Sequence, residues 1–223
     1  MLRCIRVARS LLIAAPLLAA APVIAGPDQI SNGNADQCEQ AVLEELNLAR
    51  TRPSVYAGYV EEHNRNFKGP LVVVVDSRKP TRTLEGFPAV DEAIAFLKTV
   101  APVPALSASR SLTFSARDHV KDIGPRGKTG HAGTDNSQPL DRISRYGMPR
   151  TTSGEVITFG SITARSIVIQ LIVDDGVAGR DHRRSLFDPA YRVAGIAIGP
   201  HKTYEQVCVV DLADQMDEKA AAN

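Results

Sequence analysis

The sequence lacks the short motifs by which several enzyme classes are recognised. It contains no Cys-x-x-Cys pair, no G-x-S-x-G elbow, no P-loop, no H-E-x-x-H and no G-x-G-x-x-G that opens a helix. Without them, nothing supports a dithiol redox enzyme, a zinc ribbon, an α/β-hydrolase, a P-loop nucleotidase, a zincin protease or a dinucleotide-binding enzyme. The candidates for chemistry that remain are residues scattered along the sequence.

Long runs of basic residues and long apolar segments are also scarce. The chain of 223 residues has a formal net charge of +1, and its basic residues form no long run. Nucleic-acid binding would require a basic patch or stripe, so this function gains no support. The sequence shows no internal repeat and no low-complexity segment, and no second apolar run follows the one near its beginning.

The first 25 residues have the pattern of a secretory signal peptide. Three arginines precede an apolar stretch at residues 11–21, and cleavage is expected after Ala25. The alternative is an uncleaved membrane anchor, but the apolar stretch is too short to span about 30 Å of hydrocarbon comfortably. We therefore expect an exported protein, periplasmic or secreted, with no stable membrane span after cleavage.

Cysteine is rare, and only Cys38 and Cys208 remain after the predicted cleavage. In an oxidising compartment an isolated pair of cysteines indicates a disulfide. Two buried thiols are the alternative, because free cysteine is among the most buried residue types. A disulfide between these two residues would tie the two ends of the domain together.

Cleavage would leave 198 residues, a length that suits one domain with a well-formed core. We expect residues 26–36 to be a flexible mature N-terminus, residues 37–214 to form the domain and residues 215–223 to be a flexible tail. An insertion at about 64–88 contains prolines, glycines and charged residues. This composition favours a surface excursion with one short strand.

Helical and strand patterns alternate along the domain. Residues 165–173 suit a buried strand or a buried helix equally, because they are dense in apolar and β-branched side chains. Residues 193–198 and 206–212 alternate as two closing strands, close enough to be antiparallel neighbours, so an α+β sandwich is favoured over a doubly wound sheet. The other predicted elements are helices from residue 38, after Pro53, over 89–100, from Leu112 and over 140–146, and strands at 71–75 and 155–159.

Three polar residues stand out as candidates for a site. His131 lies in a loop rich in Gly, Asp, Ser and Pro, Glu155 begins a predicted strand, and His182 follows an Asp- and Gly-rich turn. Two imidazoles and a carboxylate are ligand types that zinc accepts. Glu155 follows His131 by 24 residues, and His182 follows Glu155 by 27 residues. Spacings of this length form no local metal-binding motif.

Four segments in succession carry a resemblance to a known family. Residues 38–57, CEQAVLEELNLARTRPSVYA, look like a first helix with an asparagine–alanine–arginine signature and a following proline. Residues 129–147, TGHAGTDNSQPLDRISRYG, and 179–189, GRDHRRSLFDP, resemble two histidine boxes, and residues 153–157, SGEVI, occupy the place of a Gly-Glu-Asn-Ile box. In this order they resemble the CAP superfamily (cysteine-rich secretory proteins, antigen 5 and pathogenesis-related 1), in its bacterial extracellular branch.

The resemblance implies a three-layer α-β-α sandwich with a broad cleft. In many members of the family the cleft holds two histidines and two acids and can take a divalent metal. Matched residue by residue, the implied ligands of Zn²⁺ or another divalent metal are His131, Glu155 and His182. Three aspartates remain candidates for the second acid: Asp174, Asp175 and Asp181.

Two functions from different classes fit these observations. The first is a monomeric binding module whose cleft recognises a small apolar, lipid-like or envelope-derived ligand, with a bound metal that organises its polar floor. The second is a metal-dependent hydrolase of cell-envelope polymers or peptides, in which a His/Glu/His site activates water. The roles of the family are diverse, so the resemblance leaves both open.

Overall fold

A computed structural model describes residues 35–74 and 80–219 of the chain. The predicted signal peptide lies outside these residues, as does most of the predicted flexible segment 26–36. Within the described ranges, no helix is long and apolar enough to cross a membrane.

Helices and strands alternate along the described chain. The first two helices meet at Pro53, since proline lacks the amide hydrogen needed to continue a helix but is well suited to begin one. The helices are α1 (Ala35–Thr51), α2 (Pro53–His63), α3 (Phe87–Thr99), α4 (Arg110–Ile123), α5 (Pro139–Ile143), α6 (Ala164–Val173) and α7 (Asp181–Leu186). The strands are β1 (Val72–Val73), β2 (Thr81–Arg82), β3 (Ser107–Ala108), β4 (Gly147–Pro149), β5 (Ser153–Phe159), β6 (Val193–His201), β7 (Glu205–Ala213) and β8 (Met216–Glu218).

A four-stranded sheet in the order β3-β6-β7-β5 forms the centre of the domain. β6 and β7 are antiparallel, and β5 pairs antiparallel with the other side of β7. The prediction that the two closing strands are antiparallel neighbours is therefore confirmed. β5 is an edge strand, because it pairs with β7 alone among the strands of the described residues.

Helices cover both faces of this sheet. Since alternate residues of a strand point to opposite faces, each strand contributes to two cores. Val156 and Val210 belong to the larger core cluster, which contains residues of α1 and α6, whereas Ile157 and Val209 pack with residues of α4 in a second cluster. The α-β-α sandwich predicted from the sequence is confirmed.

Residues 165–173, whose sequence suits a buried strand or a buried helix equally, belong to helix α6 in the structure. The Thr163 hydroxyl accepts a hydrogen bond from the Ser166 amide at 3.1 Å, and the Ser166 hydroxyl accepts one from the Thr163 amide at 3.1 Å. This capping box pairs amides that a helix start leaves without intrahelical partners. α6 is buried on nearly all sides, so its apolar pattern has no period that could distinguish it from a buried strand.

The insertion at 64–88 contains two short strands where the sequence predicts one. β1 and β2 pair antiparallel, and residues 75–79 between them lie outside the described residues. The Asp175 carboxylate accepts hydrogen bonds from the amides of Leu84, Glu85 and Gly86 at 2.6, 2.8 and 3.1 Å. The insertion is therefore fastened to the loop between α6 and α7.

The chain beyond residue 214 differs from the expected flexible tail. β8 (Met216–Glu218) pairs antiparallel with β4 (Gly147–Pro149), and residues 220–223 lie outside the described residues. A three-residue strand of mixed polarity carries little alternation by which a sequence pattern could find it.

The asparagine–alanine–arginine signature of α1 has a structural role. Arg50 is fully buried and donates to the carbonyl oxygens of Pro104 at 2.9 Å, Tyr191 at 3.1 Å and Leu186. Burial lowers the pKa of its guanidinium to about 10. Arg50 thus ties α1 to the chain before β3 and to the connection between α7 and β6.

Candidate functional site

His131 and Glu155 lie in contact at one end of β5. His131 Nδ1 is 2.8 Å from Glu155 Oε1. The Glu155 side chain is fully buried on the sheet face that α4 covers, whereas the His131 side chain is 47% exposed. The pair therefore presents an accessible imidazole backed by a buried carboxylate.

Arg142 of α5 holds the second oxygen of this carboxylate. Its Nη2 donates to Glu155 Oε2 at 2.7 Å, and its Nη1 donates to the Ser137 carbonyl at 2.9 Å. The Arg142 side chain is only 2% exposed. Burial opposes ionisation of Glu155, but the hydrogen bond from His131 and the charge of Arg142 outweigh it, so the pKa of Glu155 is lowered.

Asp211 of β7 lies directly opposite Glu155 and is completely buried. Burial raises the pKa of Asp211 well above its ordinary value, and the negative charge of Glu155 raises it further. A neutral Asp211 avoids the repulsion that two ionised carboxylates, paired across neighbouring strands, would have. The side chain of Ser115 of α4 neighbours this carboxyl, but among the described residues neither oxygen of Asp211 nor the Ser115 hydroxyl makes a hydrogen bond.

His119 of α4 supports the loop that carries His131. Its ring is fully buried, and its Nε2 lies 2.9 Å from the carbonyl oxygen of Gly130. Because a carbonyl oxygen only accepts, this nitrogen carries the ring proton. Burial lowers the pKa of His119, which keeps the ring neutral.

His182 forms a second pair with Asp174, which lies between α6 and α7. His182 Nδ1 is 2.7 Å from Asp174 Oδ1, and the His182 amide donates to Asp174 Oδ2 at 2.9 Å. Asp174 follows the last residue of α6 with a left-handed φ of 57°, a conformation that aspartate tolerates better than most residues. The local turn, the start of α7 and the imidazole are thus positioned by one carboxylate.

The other two candidate aspartates have different partners. Asp175 accepts from the amides of Glu85 and Gly86, just before α3, and Asp181 forms a surface ion pair with Arg184. Of the three, Asp174 is the acid that contacts a predicted histidine.

A cleft of about 430 Å³ runs along the outer edge of β5, with the His182–Asp174 pair in its wall. Residues of the β1–β2 insertion and of the turn between β6 and β7 also line it. His131 and Glu155 do not line it. The apolar side chains that line it are Phe67, Val73, Val90, Ile157, Phe159, Leu171, Val173, Val177 and Tyr204.

Comparison with known families decides what kind of domain this is. Residues 43–212 match the model of the CAP family, the cysteine-rich secretory protein family. The chain belongs to this family. The match confirms the resemblance that the four sequence segments indicate.

Solved structures similar to this CAP domain share low sequence identity with it, and a search of curated proteins found no match. An extracellular protein with an SCP domain from Bacillus anthracis is 15% identical, with a TM-score of 0.41 over 51% of this chain and 35% of that chain. An outer surface protein from Borrelia burgdorferi is 16% identical, with a TM-score of 0.43 over 52% and 80%. A cysteine-rich secretory protein from Staphylococcus aureus is 12% identical, with a TM-score of 0.37 over 62% and 43%. The chain thus spans about a third of the first structure's length.

The residues of this CAP domain do not fit the three-ligand metal centre that the resemblance implies. Across residues 35–74 and 80–219, no group of three or more His, Cys, Asp or Glu side chains could hold a metal ion. Both Glu155 oxygens are already engaged, and the Arg142 guanidinium places a positive charge where a cation would compete for them. Instead of one His/Glu/His cluster, the CAP domain contains two separate histidine–carboxylate pairs.

Sequence reasoning missed Arg142, Asp211 and the contact of His119. Arg142 lies 13 residues before Glu155 and Asp211 lies in a later strand, so neither contact has a local pattern. One signal was available for Asp211: it is an acidic residue within a strand of otherwise apolar character. A buried carboxyl group needs a partner, so such a residue indicates a second polar group on the neighbouring strand.

Proposed function

We propose that this CAP domain protein is exported and acts as a binding module for an apolar or envelope-derived ligand. The observation that carries the proposal is the cleft along β5, whose lining combines nine apolar side chains with polar ones that include the His182–Asp174 pair. Ligand sites are commonly concave and mainly apolar, with a few polar groups that fix orientation. A ligand with an apolar body and one polar group matches this distribution.

The positions of the polar groups support an amphipathic ligand. His182 keeps its Nδ1 on Asp174, so its Nε2 remains available to a ligand carbonyl, hydroxyl or carboxylate. Thr158 and Ser161, at the same edge, donate to Gln170 Oε1 at 2.5 and 2.7 Å. The hydroxyl donors of Thr158 and Ser161 are thus occupied within the protein, whereas His182 and other lining side chains such as Arg82 and Thr83 can offer polar contacts to a ligand.

The cellular location and the oligomeric state in this proposal are inferred from the sequence. The basic, apolar and small-residue order of the first 25 residues supports export to the periplasm or beyond, and the proposed acting form is a monomer. A bound metal is not required for the binding function. The His182–Asp174 pair supplies the polar contact without one.

Titration with 11-(dansylamino)undecanoic acid tests the proposal, because this probe has an apolar chain, a carboxylate and environment-sensitive fluorescence. We expect saturable binding that Val177→Asp weakens at least tenfold, since a charge would enter the apolar wall of the cleft. Val55→Asp is the matched control, because Val55 is exposed on α2 and does not line the cleft. Absence of saturable binding, or equal loss in both variants, would contradict the binding function.

A second candidate function is a hydrolase of envelope polymers or peptides. The specific observation in its favour is that His131 and His182 each have Nδ1 held by a buried carboxylate, the arrangement that orients a histidine as a general base. Turnover of peptidoglycan fragments or peptides that the His131→Ala/His182→Ala double variant loses would support it. Metal analysis of both proteins, with and without a chelator, tests whether a divalent metal takes part.

A further inference from the structure

We infer that the outer edge of β5 binds an extended peptide segment as an additional strand. This inference rests on the proposed binding function and names the chemical class of its ligand. Edge strands carry main-chain donors and acceptors that a further strand can pair with, and several peptide-binding domains use such strand addition.

The register of the sheet shows which main-chain groups face outward. At one end of the β5–β7 ladder the Gly160 amide donates to the Gln206 carbonyl at 2.9 Å, and just beyond the other end the Asp214 amide donates to the Thr152 carbonyl at 3.2 Å. Both contacts belong to even-numbered residues on the β5 side. In an antiparallel ladder hydrogen-bonded and non-hydrogen-bonded pairs alternate, so the main-chain groups of Ile157 and Phe159 point away from β7.

Ile157 and Phe159, whose main-chain groups point away from β7, both line the cleft. Residues 157–161 all line it, so the cleft follows the last three residues of β5 and the two residues after the strand. In the part of the chain that the structure describes, the N–H and C=O of Ile157 and Phe159 form no hydrogen bond. The cleft therefore offers an alternating row of donors and acceptors beside apolar side chains.

An extended peptide is the ligand whose main chain can pair with these donors and acceptors. Its main chain presents a donor and an acceptor on one edge at every second residue, which matches the spacing of Ile157 and Phe159. A fatty acyl chain could fill the apolar volume but would leave the edge amides and carbonyls unpaired, at a cost in affinity. Alternate peptide side chains would lie toward Phe159 and its ring neighbour Tyr204 on one face and toward Val173 on the other.

The test uses a positional-scanning library of acetylated, amidated heptapeptides and the ¹⁵N-labelled protein. For the tightest binder, we expect amide exchange at Ile157 and Phe159 to slow at least tenfold on binding, with little change at Val156 and Thr158, whose amides already pair with β7. N-methylation of the two peptide residues that face β5 should weaken binding about tenfold or more. N-methylation of the intervening residues should leave affinity within about threefold, because those amides face away from β5.

The outcomes separate this inference from the proposed function. Binding of the dansyl fatty acid with no binding by any heptapeptide would leave the binding cleft standing and overturn the peptide assignment. Peptide binding that both sets of N-methylated analogues weaken equally, or that leaves exchange at Ile157 and Phe159 unchanged, would also overturn strand addition. Failure of both probe classes would overturn the inference together with the proposed function.

Discussion

Glu155 and Asp211 are paired across β5 and β7, and both carboxyl groups are buried on the sheet face covered by α4. Arg142 and His131 supply the donors that keep Glu155 ionised, and Asp211 keeps its proton. One negative charge rather than two is therefore buried at this position, beside the positive charge of Arg142. The site is a polar network built around a single carboxylate, with an accessible imidazole on its outer side.

The raised pKa of Asp211 predicts a pH-dependent loss of stability. Above pH 4 an unfolded chain loses this proton while the folded chain retains it, so the contribution of Asp211 falls as pH rises toward its folded pKa. Asp211→Asn has no proton to lose. We expect its free energy of unfolding, from urea denaturation between pH 4 and pH 8, to fall less with pH than that of the wild type, with a gain of about 1 kcal/mol or more at pH 8.

Asp217→Asn is the matched control for this experiment. Asp217 is exposed on β8, so the same substitution there should leave the slope of stability against pH close to that of the wild type. Parallel curves for the wild type and Asp211→Asn would show that Asp211 is ionised in the folded protein.

The sequence predicts more of the fold than of the site, for a physical reason. The apolar patterns at residues 193–198 and 206–212 indicate β6 and β7, although helices bury both faces of these strands. His131, Glu155 and His182 are found because they lie within recognisable segments. α6 is ambiguous because a fully buried element loses its amphipathic period. The Arg142–Glu155 contact and the separation of His182 from Glu155 depend on how distant elements pack, which no local pattern records.

Arg142 should be essential to stability because it is the buried cation of the network. Arg142→Met would leave the Glu155 carboxylate buried without its charge partner, and we expect a loss of about 3–5 kcal/mol in the free energy of unfolding. Arg126→Met, which breaks an exposed pair with Asp122, should cost less than about 1 kcal/mol. Urea denaturation of both variants measures the difference.

The double variant Arg142→Met/Glu155→Gln distinguishes a charge effect from a packing effect. If the loss comes from an unpaired buried charge, removal of that charge should restore part of the stability. A double variant that is less stable than Arg142→Met by the full cost of Glu155→Gln alone would show that the two residues act independently.

Asp175 should control how firmly the β1–β2 insertion is held on the domain. Asp175→Ala would remove the acceptor for the amides of Leu84, Glu85 and Gly86, and we expect a loss of about 1–3 kcal/mol together with faster proteolysis within residues 67–86. Asp181→Ala is the control, because Asp181 and Arg184 form an exposed pair. Equal cleavage rates in the two variants would show that the Asp175 contacts do not hold the insertion.

The disulfide between Cys38 and Cys208 stays a prediction from the sequence, and the structure sharpens its test. The structure contains both residues as buried thiols in the same core cluster, with no disulfide between them. Burial raises the pKa of the Cys208 thiol, so the thiolate that attacks an oxidant is scarce once the domain has folded. We therefore expect the bond to form during oxidative folding, whereas folded, reduced protein should resist oxidation by oxidised glutathione.

Non-reducing peptide mapping of protein exported to an oxidising compartment should find the cross-linked peptide. Cys208→Ala should lower the free energy of unfolding by up to about 4–5 kcal/mol, less any strain, because the closed loop is long. Recovery of both cysteines as alkylatable thiols after denaturation of the exported protein would show that they are core thiols.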